Sequence, residues 1–390
     1  MTPNTLYSFK VAAYTSGGSG QWSQEFKAKT LKTSDERYLV WASNDGLLQS
    51  DVTGENIITL LPKEELGDSL VNDITWFEDL LYIVTGSTLR IYNRTNGSLY
   101  KLGELDSVGG VAVDWIGKRL YWSNPTQQVI NRGRLSGEQQ EPLSIVAAAR
   151  EIKIDALRGN IYYSTGLTVE GCRLNGKIPK KYFTVPPYSG KQVMGLTLDI
   201  EDQNIYWIVR SYQGSSLYSA KLLDLWINES EPVIIETKLD ERSLNGSLTH
   251  FSDRLVWRQD DKTIVFGDVD GKNLAYFRNE KLSGLTCIMV IDKTHHAYPE
   301  IQGNITEFNV IPDAIPINSI KIIGTYKFFN ITWDSVKNVN FGSVFYEIKI
   351  KPLKFPDINA EQTETVFQFP TNTLEPYTPL DIFIRAFTFW

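Results

Sequence analysis

The sequence holds few side chains of the kinds that bind metal ions or act as nucleophiles. It has only three histidines, His250, His295 and His296, and only two cysteines. His295 and His296 are adjacent, and adjacent side chains in a strand point to opposite faces, so the two cannot share one ion there. We therefore expect these two histidines to occupy a surface or loop position rather than a metal site.

Four aspartates recur in equivalent positions, each preceded by Val, Ile or Leu: Asp114, Asp155, Asp199 and Asp292. Repeated carboxylates can hold a metal ion in a hydrolase. A repeated Asp at the end of a strand also caps the turn that follows. We favour turn capping, because an enzymatic site is usually asymmetric whereas these residues follow a sequence repeat. The chain has no Gly-rich phosphate loop, kinase signature set or nucleophile elbow, so we expect no catalytic residue, cofactor or metal site.

The aspartates belong to a repeat in the middle of the chain. Each unit is anchored by an apolar, usually aromatic, residue in its second strand, at intervals of about 43 residues on average, which is typical of four-stranded propeller blades. The anchors are Trp41, Ile83, Trp122, Tyr163, Trp207 and Trp257. A glycine turn follows most anchors, so each unit is predicted to contain three strands, a Gly turn and an edge strand.

The first and last units complete each other. No inner strand precedes Trp41, whereas a spare inner strand with Ile291 and Asp292 follows the sixth unit, within residues 284–296. We therefore expect the last strand to complete the first blade, which gives an all-β fold with a six-bladed propeller over residues 35–296. Cys172 and Cys287 then lie in opposite blades, so we expect both to be free, semi-buried thiols.

Residues 113–122, VDWIGKRLYW, resemble the signature of the YWTD six-bladed propeller found in low-density-lipoprotein-receptor relatives, nidogen and the Ros/Sevenless receptor tyrosine kinases. No unit spells YWTD literally. The corresponding segments read VWAS (40–43), YWSN (121–124), YYST (162–165) and YWIV (206–209). The Thr and Asp that bond neighbouring blades in that family are thus missing, and we expect this ring to depend more on aromatic packing.

Both ends of the chain resemble parts of a fibronectin type III domain. Residues 1–33, with alternating Tyr7 and Phe9, resemble its last hairpin, and residues 312–390, with Trp333 at the core Trp position, resemble the domain without its last strand. A propeller between two such modules is the Ros/Sevenless arrangement. Two cysteines cannot supply the Cys-rich module that follows lipoprotein-receptor propellers. The resemblance implies a fragment that begins and ends inside domains.

The resemblance also implies a function, namely non-catalytic recognition of a protein ligand by a receptor ectodomain at the extracellular face of the plasma membrane. The kinase domain of such a receptor would lie outside this chain. Six glycosylation sequons agree with an extracellular location: Asn93, Asn96, Asn228, Asn245, Asn304 and Asn330.

The charge and the hydropathy of the sequence argue against a nucleic-acid partner and against a membrane-spanning segment. The net charge of −7, without a long basic stripe, argues against nucleic acid. No apolar run is long enough to span a membrane, and the first residues lack the apolar core of a signal peptide. Two alternatives stay open, a six-bladed metal-dependent hydrolase and a matrix-adhesion or endocytic-receptor scaffold.

Overall fold

The computed structural model describes residues 6–29, 37–67, 69–103, 105, 107–222, 232–239, 246–299, 307–325, 327–353, 356–369, 375 and 377–390. Within these ranges the regular secondary structure is almost entirely β-strand. The helical segments are one α-turn, α1 (Lys63–Leu66), and the 3-10 turns Glu280–Leu282, Lys293–His296 and Ile317–Ser319. None of the described helices is long or apolar enough to cross a bilayer.

The N-terminal residues form an antiparallel hairpin, followed by six four-stranded antiparallel sheets. In the hairpin, β1 (Leu6–Phe9) pairs with β4 (Phe26–Lys29), and β2 (Tyr14–Thr15) pairs with β3 (Gly18–Ser19). Blade 1 contains β5 (Arg37–Ser43), β6 (Gly46–Asp51) and β7 (Ile58–Pro62). Blade 2 contains β8 (Val71–Phe77), β9 (Leu80–Thr85), β10 (Thr88–Asn93) and β11 (Leu99–Lys101). Blade 3 contains β12 (Val111–Asp114), β13 (Arg119–Asn124), β14 (Val129–Arg134) and β15 (Glu141–Pro142).

The remaining blades repeat this order. Blade 4 contains β16 (Glu151–Asp155), β17 (Asn160–Ser164), β18 (Thr168–Arg173) and β19 (Lys180–Thr184). Blade 5 contains β20 (Gln192–Asp199), β21 (Asn204–Ser211), β22 (Gly214–Lys221) and β23 (Ile234–Leu239). Blade 6 contains β24 (Leu248–Phe251), β25 (Arg254–Arg258), β26 (Thr263–Asp268) and β27 (Ala275–Arg278). The innermost strand of blade 1 is β28 (Cys287–Asp292), which is the last propeller strand in the sequence.

The second strand of each blade is buried on both faces, because a neighbouring sheet covers each side. All six predicted anchors lie in these strands, and none is more than 3% exposed. The predicted glycine turns have left-handed backbones, with φ between 71° and 84°, at Gly54, Gly97, Gly137, Gly176 and Gly271. At Gly137 an added Cβ would lie 2.8 Å from the side chain of Leu102, so conformation and space both favour glycine.

Pairing of β28 with β5 closes the ring. Ile291 lies opposite Tyr38 and Cys287 opposite Ala42. Each inner strand contacts the next one, from β8 through β12, β16, β20 and β24 to β28, and β28 contacts β8. The closure expected from the missing first strand is confirmed, and Cys172 and Cys287 are both free and buried, in blades 4 and 1.

Polar side chains of the inner strands also join neighbouring blades. Examples are three hydrogen bonds, each 2.9 Å long: Val111 N–H donates to Asp73 Oδ2 (blades 3 and 2), His250 N–H donates to Thr197 Oγ1 (blades 6 and 5), and Ile288 N–H donates to Oγ of Ser247, just before β24 (blades 1 and 6). The aromatic packing expected from the sequence is therefore supplemented by hydrogen bonds that the altered YWTD segments did not indicate.

The antiparallel order of each blade gives the ring two faces. Turns between the first and second strands, and between the third and fourth, lie at one end of the sheet. Turns between the second and third strands, and the connections to the next blade, lie at the other end. We call the first end the lower face and the second end the upper face.

The C-terminal residues form a sandwich of two three-stranded sheets. One sheet contains β29 (Lys321–Thr325), β30 (Phe328–Thr332) and β33 (Val366–Gln368), and the other contains β31 (Phe345–Pro352), β32 (Ile358–Gln362) and β34 (Leu380–Phe387). Trp333 is buried between the sheets, edge-on to Tyr346 with ring centroids 5.4 Å apart. Within the described residues β34 pairs only with β31, so its other edge is open.

Candidate functional site

The four recurring aspartates lie at the lower ends of inner strands and are buried. Each accepts a backbone N–H of the turn that follows: Asp114 Oδ1 from Ile116 (3.0 Å) and Gly117 (2.9 Å), Asp155 Oδ1 from Arg158 (3.2 Å), Asp199 Oδ1 from Asp202 (2.9 Å) and Asp292 Oδ1 from Thr294 (2.9 Å). Burial raises the pKa of Asp114 to about 6. These contacts are those of turn caps, because each carboxylate accepts hydrogen bonds from the turn of its own blade.

The six inner strands enclose a central channel with a cavity of about 170 Å³. Its polar lining includes Lys153, Asp199, Glu201 and His250. His250 Nε2 lies 3.6 Å from Asp199 Oδ2, yet burial lowers the pKa of His250 and favours its neutral form. In the part of the chain that the structure describes, no three His, Cys, Asp or Glu side chains are gathered closely enough to hold a metal ion.

The lower end of the channel is plugged by the 3-10 turn that follows β28. The His296 ring is stacked between two indoles, 4.0 Å from Trp76 and 4.6 Å from Trp115, measured between centroids. Trp115 Nε1 donates a hydrogen bond to Ala297 O (2.9 Å), which fixes the chain as it leaves the ring. Sequence reasoning placed His295 and His296 in a surface or loop position. They lie in a turn, but both line the channel, because the closing strand delivers them to its mouth.

The C-terminal sandwich covers the lower face at blades 3 and 4. Trp390 Nε1 donates a hydrogen bond to Ala156 O (2.8 Å), and Trp390 is only 9% exposed. The Arg173 guanidinium lies over the Phe389 ring, 4.4 Å from its centroid, and Phe345 packs against the same ring. Nothing in the alternating pattern of β34 indicates that the residues after it leave the sheet and dock on the propeller.

The upper face is different, because it exposes aromatic and apolar side chains at blades 4 and 5. Leu167 is 59% exposed, in the turn between the second and third strands of blade 4. Tyr188 lies in the connection to blade 5 and Tyr212 in a turn of blade 5, and both are more than 90% exposed. Sequence reasoning missed these residues; the available signal for Tyr188 and Tyr212 was a tyrosine beside Pro or Ser in a turn.

Two sequons lie together in the turn between β10 and β11 on the lower face. Asn93 Oδ1 accepts a hydrogen bond from Thr95 N–H (2.8 Å), and Asn96 Oδ1 accepts one from Ser98 N–H (3.0 Å). Asn96 is exposed, whereas Asn93 is half-buried.

The other sequons are placed as follows. Asn330 lies in β30, where Phe329 and Ile331 on either side are buried in the sandwich core. Asn330 is thus on the opposite face, but it is half-buried and its Oδ1 is fully covered. Asn228, Asn245 and Asn304 lie outside the described residues.

Comparison with known proteins identifies relatives over nearly the whole chain, although no protein-family model matches. The chain is 25% identical over 410 aligned positions to the proto-oncogene tyrosine-protein kinase ROS of Gallus gallus, which covers 99% of this chain and 17% of that protein. Identity is 25% to ROS of Homo sapiens, over 98% of this chain, and 24% to the protein sevenless of Drosophila virilis, over 89%.

The chain spans about a sixth of the length of these relatives, in their extracellular part and outside their kinase domains. Among solved structures, it resembles a chain of the nidogen/laminin complex with a TM-score of 0.53 and 15% identity, over 65% of this chain and 98% of that one. This likeness supports the propeller fold. The chain is therefore similar to the ectodomain region of the ROS and Sevenless receptor tyrosine kinases.

Proposed function

We propose that the propeller in this ectodomain region binds its protein ligand through the upper face. The observation that carries the proposal is the difference between the two faces. The lower face is plugged by His296 and covered by the C-terminal sandwich, whereas the upper face presents Leu167, Tyr188 and Tyr212 to solvent. Exposed tyrosines are common anchors of protein interfaces, because a large ring is buried with little loss of side-chain freedom.

The domain organisation that goes with this function is also a proposal. It consists of a partial fibronectin type III hairpin at residues 1–33, the propeller at 35–296, and a fibronectin type III domain without its last strand at 312–390. The six strands of the C-terminal sandwich and the buried Trp333 support the last assignment. The acidic net charge favours a protein partner over nucleic acid.

The hydrolase alternative has weaker support than ligand recognition. Its carboxylates would be Asp114, Asp155, Asp199 and Asp292, and all four accept hydrogen bonds from the turns they precede. The matrix-adhesion scaffold uses the same exposed surface as a receptor, so the two differ in the partner and not in the site.

A binding screen tests the proposed function. The full chain, displayed multivalently, would be applied to an arrayed library of secreted and cell-surface proteins. We expect a binder whose affinity falls at least about tenfold when Tyr188→Ala and Tyr212→Ala are combined. The matched control is Tyr276→Ala, an exposed tyrosine on the edge strand β27. The proposal fails if no binder is found, or if the control and the double variant weaken binding equally.

We also infer N-linked glycosylation at Asn96, which is exposed on the lower face, away from the proposed ligand surface. The chain secreted from mammalian cells should lose one glycan mass when Asn96→Gln is introduced. An unchanged mass would contradict this inference.

A further inference from the structure

Acidic and basic residues are unevenly distributed over the upper face. Five of its loops in blades 3 to 5, at 125–128, 144–150, 165–167, 185–191 and 212–213, contain no Asp or Glu but include Arg150 and Lys191. The connection from blade 5 to blade 6 contains Asp240 and Glu241, which lie outside the described residues. The described acidic residues of this face lie in the loops of blades 1 and 6, which form its acidic half, and include Asp45, Glu64, Glu65, Asp260 and Asp261. The loops that carry Arg150 and Lys191 and lack acidic residues are therefore among those that expose Leu167, Tyr188 and Tyr212.

Backbone hydrogen bonds tie the loops of blades 4 and 5 into one surface. Val185 N–H donates to Leu167 O (2.8 Å), and Val193 N–H donates to Gly166 O (2.9 Å). The connection between these two blades is thus held against the turn of blade 4 at both of its ends. Leu167 and the intervening residues 186–192 consequently lie side by side.

Side chains extend this surface on both sides. Arg150 is exposed, and its Nη1 would lie 3.1 Å from a Cβ added at Gly166. The Tyr212 ring covers Gly190, where an added Cβ would lie 2.7 Å from the ring. The guanidinium and the ring therefore flank the connection that carries Tyr188.

Tyr188 is held in an uncommon conformation. Its φ is 59°, in the left-handed region that a bulky side chain rarely adopts, and its side chain is fully exposed. The surrounding turn, with Ser189 N–H donating to Pro186 O (3.3 Å), maintains this backbone. Twelve other non-glycine residues of the described chain also have a positive φ, so the conformation does not mark a site by itself; it fixes the direction in which the Tyr188 side chain leaves the turn.

We infer that this surface, which we call the basic-aromatic sector and define as Arg150, Leu167, Tyr188, Lys191 and Tyr212, binds an acidic segment of a protein partner. The segment would place an apolar side chain among Leu167 and the tyrosines, and carboxylates beside Arg150 and Lys191. Charge complementarity of this kind speeds encounter and selects partners, while the aromatic anchors supply affinity. This inference rests on the proposed receptor function and specifies the chemistry of its ligand.

A peptide selection tests the sector separately from the screen for whole proteins. The probe is a phage-displayed library of random linear peptides, selected on the immobilised full chain. We expect enrichment of peptides that combine several Asp or Glu residues with one large apolar residue. Their binding should fall at least about tenfold in the double variant Arg150→Glu and Lys191→Glu.

The matched control is the double variant Glu64→Lys and Glu65→Lys, which reverses two exposed charges in the acidic half of the same face. Binding to this control should change less than about twofold, and thermal melts should show that both variants are folded. Enriched peptides without acidic residues, equal losses in the two variants, or no enrichment at all would each overturn the inference.

The two experiments fail in different ways. If the protein array yields a ligand whose binding survives the sector reversal, the acidic-partner inference is wrong and the receptor function stands. If the array yields no ligand, the proposed function itself fails, whatever the selected peptides show.

Discussion

Acidification should destabilise the folded protein, because unfolding releases His296 from the plug at the lower end of the channel and allows it to bind a proton. The imidazole lies between the Trp76 and Trp115 rings, and burial, followed by the neighbouring His295, lowers the pKa of His296 to about 3 from an ordinary value of 6.5. The folded protein therefore binds this proton less readily than the unfolded chain. The contribution of neutral His296 to the free energy of unfolding is therefore complete above pH 6.5 and is lost as the pH falls towards 3.

The magnitude follows from the two pKa values of His296. At pH 5 the unfolded chain is mostly protonated at this position and the folded protein is not, which lowers the free energy of unfolding by about 2 kcal/mol for a fully buried group. The ring is half-buried, so we expect about 1–2 kcal/mol. Burial also lowers the pKa of His295, so protonation of His295 in the unfolded chain further lowers the free energy of unfolding at pH 5.

Urea denaturation at pH 7.5 and pH 5, followed by tryptophan fluorescence, measures the effect. The comparison variant is His296→Phe, which keeps an aromatic ring between the two indoles but cannot take up a proton. All other titrating groups are common to both proteins. The native sequence should lose about 1–2 kcal/mol more than the variant between the two pH values. Equal losses would refute the role of His296.

Three further predictions concern closure, docking and the thiols. Ile291→Asp places an unpaired charge in the buried closing strand, so it should lower the free energy of unfolding, measured by urea denaturation, by about 3–5 kcal/mol. The control Lys293→Asp changes an exposed residue and should alter the free energy of unfolding little. Trp390→Ala should detach the C-terminal sandwich and permit protease cleavage within residues 307–312 before the ring unfolds; resistance equal to that of the native protein would contradict the docking argument. Burial raises the pKa of both Cys172 and Cys287, so neither thiol should react with a disulfide reagent at pH 8 until denaturant is added; rapid labelling of the native protein would contradict their burial.

The sequence by itself determined the propeller and its closure. Each blade buries its second strand on both faces, and this requirement recurs in every unit, so anchors such as Trp122 and Trp207 appear at regular intervals. The glycine turns were predictable for the same reason, because a left-handed backbone favours one residue type. The strand with Ile291 was recognisable because the first blade lacks an inner strand in its own segment, while one extra inner strand follows the last blade. In the ring these two strands pair with each other, β28 with β5.

Only the tertiary structure decided which residues form the functional surfaces. Trp76, Trp115 and His296 come from three blades and meet only because β28 returns to the start of the ring. Arg150 and Tyr212 are likewise placed on the two sides of one connection by turns that have no periodic pattern. A repeat encodes which side of a strand is buried, since that demand is local and the same in every unit. It does not encode contacts between turns, which depend on where ring closure places them.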